Sequence, residues 1–156
     1  MRRKITIANH VIGEGNRCFL IAEIAQAHDG SIGFAHSYID LAHQSGADAV
    51  KFQVHIATAE STLDEQFRVV FSYVDKTRFD YWKRMEFSRE QWAGLKAHAE
   101  SLGLMFFASA FSTEAVAMLG DLGVEVWKIA SGEIDNKGLA KAIASFGKPV
   151  LISSGM

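Results

Sequence analysis

At 156 residues, 49% of them hydrophobic, the chain is long enough for one domain with a sizeable core. Its 16 Lys and Arg against 18 Asp and Glu leave a formal charge of −2, which gives no basic field for nucleic acid or an anionic membrane, so any anion site must be local. The single cysteine, Cys18, excludes an internal disulfide and fits a reducing cytoplasm, and no apolar run is long enough to span a bilayer.

The basic start Met1-Arg2-Arg3-Lys4 leads into a stretch too short and too polar for a secretory signal, which makes the cytoplasm the default compartment. Residues 5–12 alternate loosely and suit a small leading strand or hairpin. The first core strand is predicted over 18–24, with Cys18 as a core filler; it ends in Glu23 and runs into Ala25-Gln26-Ala27-His28-Asp29-Gly30. His28 in that loop can be a metal ligand, a substrate contact or a turn residue. Phe34, Tyr38, Leu41 and Ala42 recur at helical spacing before Gly46, predicting a helix over 33–45. The second core strand, 47–54, places Lys51 and Gln53 on one face near its end. Residues 55–87 form a long insertion rich in charge and aromatic rings, with no clean period; such a segment carries short helices of its own or covers a site.

The pattern then sharpens. Ser88-Arg89-Glu90-Gln91 reads as a capping box, and Trp92, Leu95, Ala99 and Leu102 make an apolar stripe ended by Gly103. A third strand over 104–108 is followed by Ser109-Ala110-Phe111-Ser112, where Ser112 or Thr113 can cap a helix through Leu122 with Val116 and Leu119 inward. The fourth strand, 124–130, holds Lys128 among apolar residues and gives way to Ser131-Gly132-Glu133. A lysine stranded in a core would cost several kcal/mol, on the order of what an unpaired buried charge costs, so it must reach an anion, a carboxylate or water. Asn136 opens a short helix carrying Leu139 and Ile143, and 149–153 is a fifth strand ending in Ser153. His36, His43 and His98 fall on predicted helices without metal-ligand spacing.

Roughly five strands alternating with helical crossovers are the signature of a parallel α/β sheet. Glu23, Lys51, Gln53, Ser109, Lys128, Ser131, Glu133 and Ser153 all fall at the C-terminal ends of their strands, where a (β/α)8 barrel builds its active site. A doubly wound open sheet is the rival, but no G-x-G-x-x-G follows the first strand. Two lysines on separate strands with serine hydroxyls beside them suit a small molecule carrying phosphate and carboxylate groups. Glu23 and Glu133 can orient a hydroxyl or water, act in proton transfer, or simply pair with Lys51 and Lys128.

Several of these segments together resemble the sialic acid synthase family, the phosphoenolpyruvate-dependent synthases of N-acetylneuraminate and its relatives. The matching pieces are Ala22-Glu23-Ile24 with His28-Asp29-Gly30, Gly46 through Gln53, Phe106 through Ser112, Lys128 through Glu133, and Gly147-Lys148-Pro149 with Ser153-Ser154-Gly155-Met156. They run in family order across 19–156.

The resemblance implies that 1–156 is the N-terminal portion, about five βα units, of a TIM barrel, with about three units and a C-terminal antifreeze-like domain lying beyond Met156. It implies condensation of phosphoenolpyruvate with an N-acylated amino sugar, with release of phosphate, by a cytoplasmic homodimer. Lys51, Ser109, Lys128, Ser131 and Ser153 match phosphoenolpyruvate contacts, Gln53 a sugar contact, and Glu23 and Glu133 acidic residues near the reacting atoms. A divalent metal, manganese or magnesium, is implied with ligands beyond this chain, so the piece alone is expected to turn over little. The chain departs from the family pattern at Ala25 and Ala27 for Gly and Asn, at Ser109-Ala110 for Thr-Pro, and at Ser154 for Thr. Two other readings stay open: a class I aldolase using Lys128 or Lys51 as a Schiff base, and a non-catalytic half-barrel that pairs with itself.

Overall fold

Apolar runs and capped amphipathic stripes alternate along the chain, and in a computed structural model, which describes residues 4–155, they become strands and helices in turn. A leading antiparallel hairpin, β1 (Lys4–Ile7) and β2 (His10–Gly13), precedes β3 (Ile21–Ala25), α1 (Ile32–Gln44) and β4 (Ala49–Val54). The insertion contributes α2 (Ala57–Glu60) and α3 (Arg78–Met85). Then follow α4 (Arg89–Ser101), β5 (Met105–Ala110), α5 (Thr113–Asp121), β6 (Trp127–Ile129), a single 3-10 turn at Ser131–Glu133, α6 (Lys137–Ala144) and β7 (Val150–Ile152).

The five long-range strands form one parallel sheet in the order β3-β4-β5-β6-β7. Sequential order with a helical crossover after each strand is the arrangement of consecutive units in a (β/α)8 barrel. Caps fall where the sequence puts them. Ser31, Ser88, Ser112 and Asn136 each accept an amide hydrogen from the first turn of the helix they precede, and Ser88 with Gln91 completes its box.

Strand alternation divides the core in two. On the helix side, Phe52, Val54, Phe106, Ala108, Trp127 and Ile129 pack against Ile39 of α1, Trp92 and Leu95 of α4, Leu119 of α5, and Leu139 and Ile143 of α6. Trp92 and Trp127 are fully buried, and loss of either ring would cost about 3–5 kcal/mol. On the opposite face, Ala49, Phe107 and Val126 pack with Ile7, Ile12, Phe19 and Leu151, so the hairpin closes the N-terminal end of that face. Asp48, just before β4, ties the same end together: it accepts from the Leu20 amide at 2.8 Å and pairs with Arg17. Burial pushes its carboxyl up, but the Leu20 amide and the Arg17 guanidinium outweigh burial and hold it below the usual carboxylate range.

Two predictions are corrected, and the buried face of α1 is now defined. The first strand begins at Ile21, and Cys18 is exposed rather than a core filler, because residues 14–20 form the turn and approach that bring the hairpin under the sheet. In α1 the inward stripe is Ala35, Ile39 and Ala42, while Phe34 and Leu41 are 61% and 52% exposed. Both stripes recur at helical spacing, and the one with alanines lets the helix axis approach the sheet closely. The fourth strand is shorter than 124–130, spanning only Trp127–Ile129.

The insertion packs by side chains rather than by regular structure. The Arg84 guanidinium grips Asp75 through Nε at 3.0 Å and Nη2 at 2.7 Å, and reaches Asp29 at 2.6 Å. The Tyr81 hydroxyl donates to Gln26 at 2.9 Å, and Arg78 pairs with Glu65 at 2.8 Å. No helix among the described residues is long and apolar enough to cross a membrane.

Candidate active site

The inner face of the sheet is apolar at its N-terminal end and polar at its C-terminal end, and register decides which polar side chains meet. Glu23 pairs across the backbone with Lys51, Gln53 with Ser109, and Ser109 with Lys128. Paired residues in a parallel sheet point the same way, so these five form two adjacent rows at one rim.

Lys51 is almost fully buried, and its ammonium forms an ion pair with the half-exposed Glu23 carboxylate. Lys128 takes a different route. Its Nζ donates to the Ile129 carbonyl at 2.6 Å and to the Ser153 hydroxyl at 2.7 Å. Partial burial lowers its pKa, the nearby Lys51 ammonium lowers it further, and Glu23 opposes both. The two lysines therefore share one electrostatic neighbourhood with a single carboxylate between them. Ser109 is buried at the centre of the row, and Ser153 joins through Lys128.

Ser131 and Glu133 lie on the 3-10 turn after β6. Glu133 does not pair with Lys128; its Oε2 accepts from Asn136 Nδ2 at 2.9 Å. It lies in the wall of a cavity of about 610 Å³ shared with Gln53, His55, Trp82 and Phe111. Of the eight residues singled out in the sequence, Glu23, Lys51, Gln53, Ser109, Lys128 and Ser153 form one group, Glu133 meets it through the cavity, and Ser131 contributes through the backbone turn that carries Glu133.

Sequence reasoning missed the opposite wall. His55 is 3% exposed, its ring held between Trp82, with centroids 3.9 Å apart, and Phe111, at 4.1 Å. Its Nδ1 lies 2.7 Å from Glu60. The available signal was parity, since His55 follows Gln53 by two residues and shares its side of the chain. His28, by contrast, is a turn residue. It is fully buried against Phe87, its Nδ1 accepts from the Gly30 amide at 3.1 Å, and burial above all lowers its pKa to about 4, against an opposing Asp29 carboxylate. His36 and His98 meet, Nδ1 to Nδ1 at 2.8 Å, on the outer helical layer. Among the described residues no group of three or more His, Cys, Asp or Glu is arranged to hold a metal ion.

Residues 38–156 match the model of the NeuB family. The human N-acetylneuraminate-9-phosphate synthase is 34% identical over 148 residues, a match covering 93% of this chain and 41% of that protein. The N,N'-diacetyllegionaminic acid synthase of Legionella pneumophila is 35% identical over 147 residues, covering 92% and 41%. A crystal structure of N-acetylneuraminic acid synthetase from Leptospira borgpetersenii superposes with a TM-score of 0.82 at 31% identity, covering all of this chain and 51% of that one. The chain spans about two fifths of the length of the curated relatives it matches. With that match running from α1 through the last strand, over both lysines of the rim, the chain belongs to the NeuB family.

Proposed function

We propose that this chain carries the phosphoenolpyruvate-holding rim of a sugar-acid synthase, an enzyme that joins phosphoenolpyruvate to an N-acylated amino sugar such as N-acetylmannosamine and releases phosphate. The observation that carries the reading is the convergence of two ammonium groups and two serine hydroxyls on one inner rim, with only one carboxylate among them. A pair of cations so under-compensated and partly withdrawn from water is matched by a small guest bearing several negative charges.

In this reading Lys128 and Lys51 hold the phosphate and carboxylate of the donor. Ser109 and Ser153 donate hydroxyl hydrogens, and the rim fixes C3 of the enol toward the cavity. C3 adds to the sugar aldehyde carbon, and the aldehyde oxygen takes a proton. Water then adds at C2, and the tetrahedral centre expels phosphate as the C2–O bond breaks. Glu133, whose Oε2 is held by Asn136 in the cavity wall, is the proton-transfer group nearest the acceptor; Glu23 tunes Lys51. The ammonium groups offset the charge that develops on phosphate as it leaves. The complete reaction is proposed of a protein with the length of the relatives.

Calorimetric titration of the chain with phosphoenolpyruvate tests the donor half. Saturable binding is expected, and Lys128→Met should weaken it by about 100-fold, on the order of 2–3 kcal/mol for one charge-assisted contact, with circular dichroism unchanged. The lowered pKa of Lys128 also suits a Schiff-base aldolase. Borohydride with pyruvate separates the two: a covalent adduct on Lys128 or Lys51 would establish the aldolase, and phosphate release dependent on N-acetylmannosamine the synthase.

A further inference from the structure

Gln53 is the only residue of the strand rows that also lines the 610 Å³ cavity, and it does not stand alone there. Its amide Oε1 is turned toward His55 Nε2 at 3.4 Å. The other ring nitrogen, Nδ1, is 2.7 Å from Glu60 Oε2, while Glu60 Oε1 accepts from the Ile56 amide at 2.8 Å. The histidine side chain is 2% exposed and the glutamate 9%, so this is an interior chain of contacts rather than a surface one.

Three features fix its chemistry. Both oxygens of Glu60 are occupied, so it is not a free acid or base in the cavity. A contact from Nε2 to the amide oxygen of Gln53 needs a proton on Nε2, and the short contact between Nδ1 and Glu60 needs one more shared between ring and carboxyl, so each atom of the chain has a partner. The imidazole lies nearly parallel to Trp82 and Phe111, at 11° and 18°, so two ring faces cover it and fix the plane in which its two nitrogens point. We infer that Glu60 and His55 are positioning residues for Gln53. As a hydrogen-bonded pair they hold its amide oxygen away from the cavity, so that its NH2 end faces the guest and selects an oxygen acceptor on it, such as the acyl carbonyl or a hydroxyl of the N-acylated sugar.

This deepens the acceptor half of the proposed function and rests on it, while predicting something the donor rim does not. His55 and Glu60 should govern binding of the sugar and leave phosphoenolpyruvate untouched. Trp82 comes from the insertion and Phe111 from the loop after β5, so the clamp also ties the insertion to the sheet.

The test titrates the whole chain with N-acetylmannosamine and, separately, with phosphoenolpyruvate, following the Gln53 side-chain amide by nitrogen-15 NMR. His55→Phe keeps a ring in the stack and removes both nitrogens; Glu60→Gln keeps the Ile56 contact and removes the charge. Each is expected to weaken the sugar about tenfold, the worth of one hydrogen bond, to shift the Gln53 amide resonances, and to leave phosphoenolpyruvate affinity within about twofold. In a Gln53→Ala background, His55→Phe should have no further effect. The inference is overturned if His55→Phe binds the sugar like the unaltered chain, if both ligands loosen together, or if the double variant is clearly weaker than Gln53→Ala. It is also overturned if the unaltered chain takes phosphoenolpyruvate but no sugar, an outcome that leaves the donor rim standing. Sugar binding without phosphoenolpyruvate binding would instead remove the proposed function and spare the clamp.

Discussion

The two walls of the site are built on different principles. Along the sheet rim, Lys51, Gln53, Ser109 and Lys128 are placed by backbone register: each strand hydrogen-bonds the next, and alternation turns the side chains inward together. Across the cavity, His55, Glu60 and Trp82 come from the end of β4 and from two short helices that share no backbone ladder, and they are placed by one another, through a stack and a buried hydrogen-bonded pair. A rim held by register keeps its geometry when one side chain is changed. A wall held by contacts loses its shape when a contact goes, which makes it the easier part to retune for a different guest.

The largest expected effect breaks the wall and spares the rim. Arg84→Met should strand the buried Asp75 and free Asp29, costing about 3 kcal/mol in local stability. Hydrogen exchange should speed up across residues 61–77 and stay slow in β4 and β5. Equal acceleration in both would show that the two regions open as one unit.

Next in size is a pH effect at the joint between them. His28 touches Phe52 of the sheet and Phe87 at the end of the insertion, and Arg84 holds its neighbour Asp29. Its pKa is about 4 in the folded chain against an ordinary 6.5, so between those values the unfolded chain binds a proton that the folded chain refuses. That contribution to stability is intact above about pH 6.5 and is lost as pH falls toward 4. From pH 7.5 to 5 the loss is about 2 kcal/mol. Urea unfolding at the two pH values should show it, and His28→Phe should remove most of the difference.

The smallest effect sharpens the rim. Ser153→Ala takes one of two hydrogen-bond partners from Lys128 Nζ and leaves the Ile129 carbonyl. Phosphoenolpyruvate should bind about three- to tenfold more weakly, near 1 kcal/mol, with the melting temperature almost unchanged. A loss as large as that from Lys128→Met would mean that the Ser153 hydroxyl, rather than the Lys128 ammonium, carries most of the hold on the guest.

This contrast also explains what could be read from the chain beforehand. The rim was legible because a lysine inside an apolar strand violates the burial rule, and the violation recurs at Lys51 and Lys128. Pairing was only half legible. Glu23 does join Lys51, but Lys128 turns to Ser153 rather than to Glu133, a choice set by how β7 lies against β6. The wall was illegible because His55 finds its partners at Glu60, Trp82 and Phe111, at separations that no period encodes. In α1 the two apolar stripes could not be ranked by spacing; Ala35 faces the sheet because it is small, while Phe34 faces solvent.

The leading hairpin acts on the rim from a distance. By seating Ile7 and Ile12 beneath Phe107 and Val126, it stoppers one end of the sheet's concave side with hydrocarbon. Such a stopper polarises poorly, so field lines from the two ammonium groups are driven outward through the opposite mouth rather than dissipated below. Under the proposed reading the rim gains a directional attraction for phosphoenolpyruvate from a segment that touches none of the charges, and loosening that stopper should dull the attraction without altering a single charge.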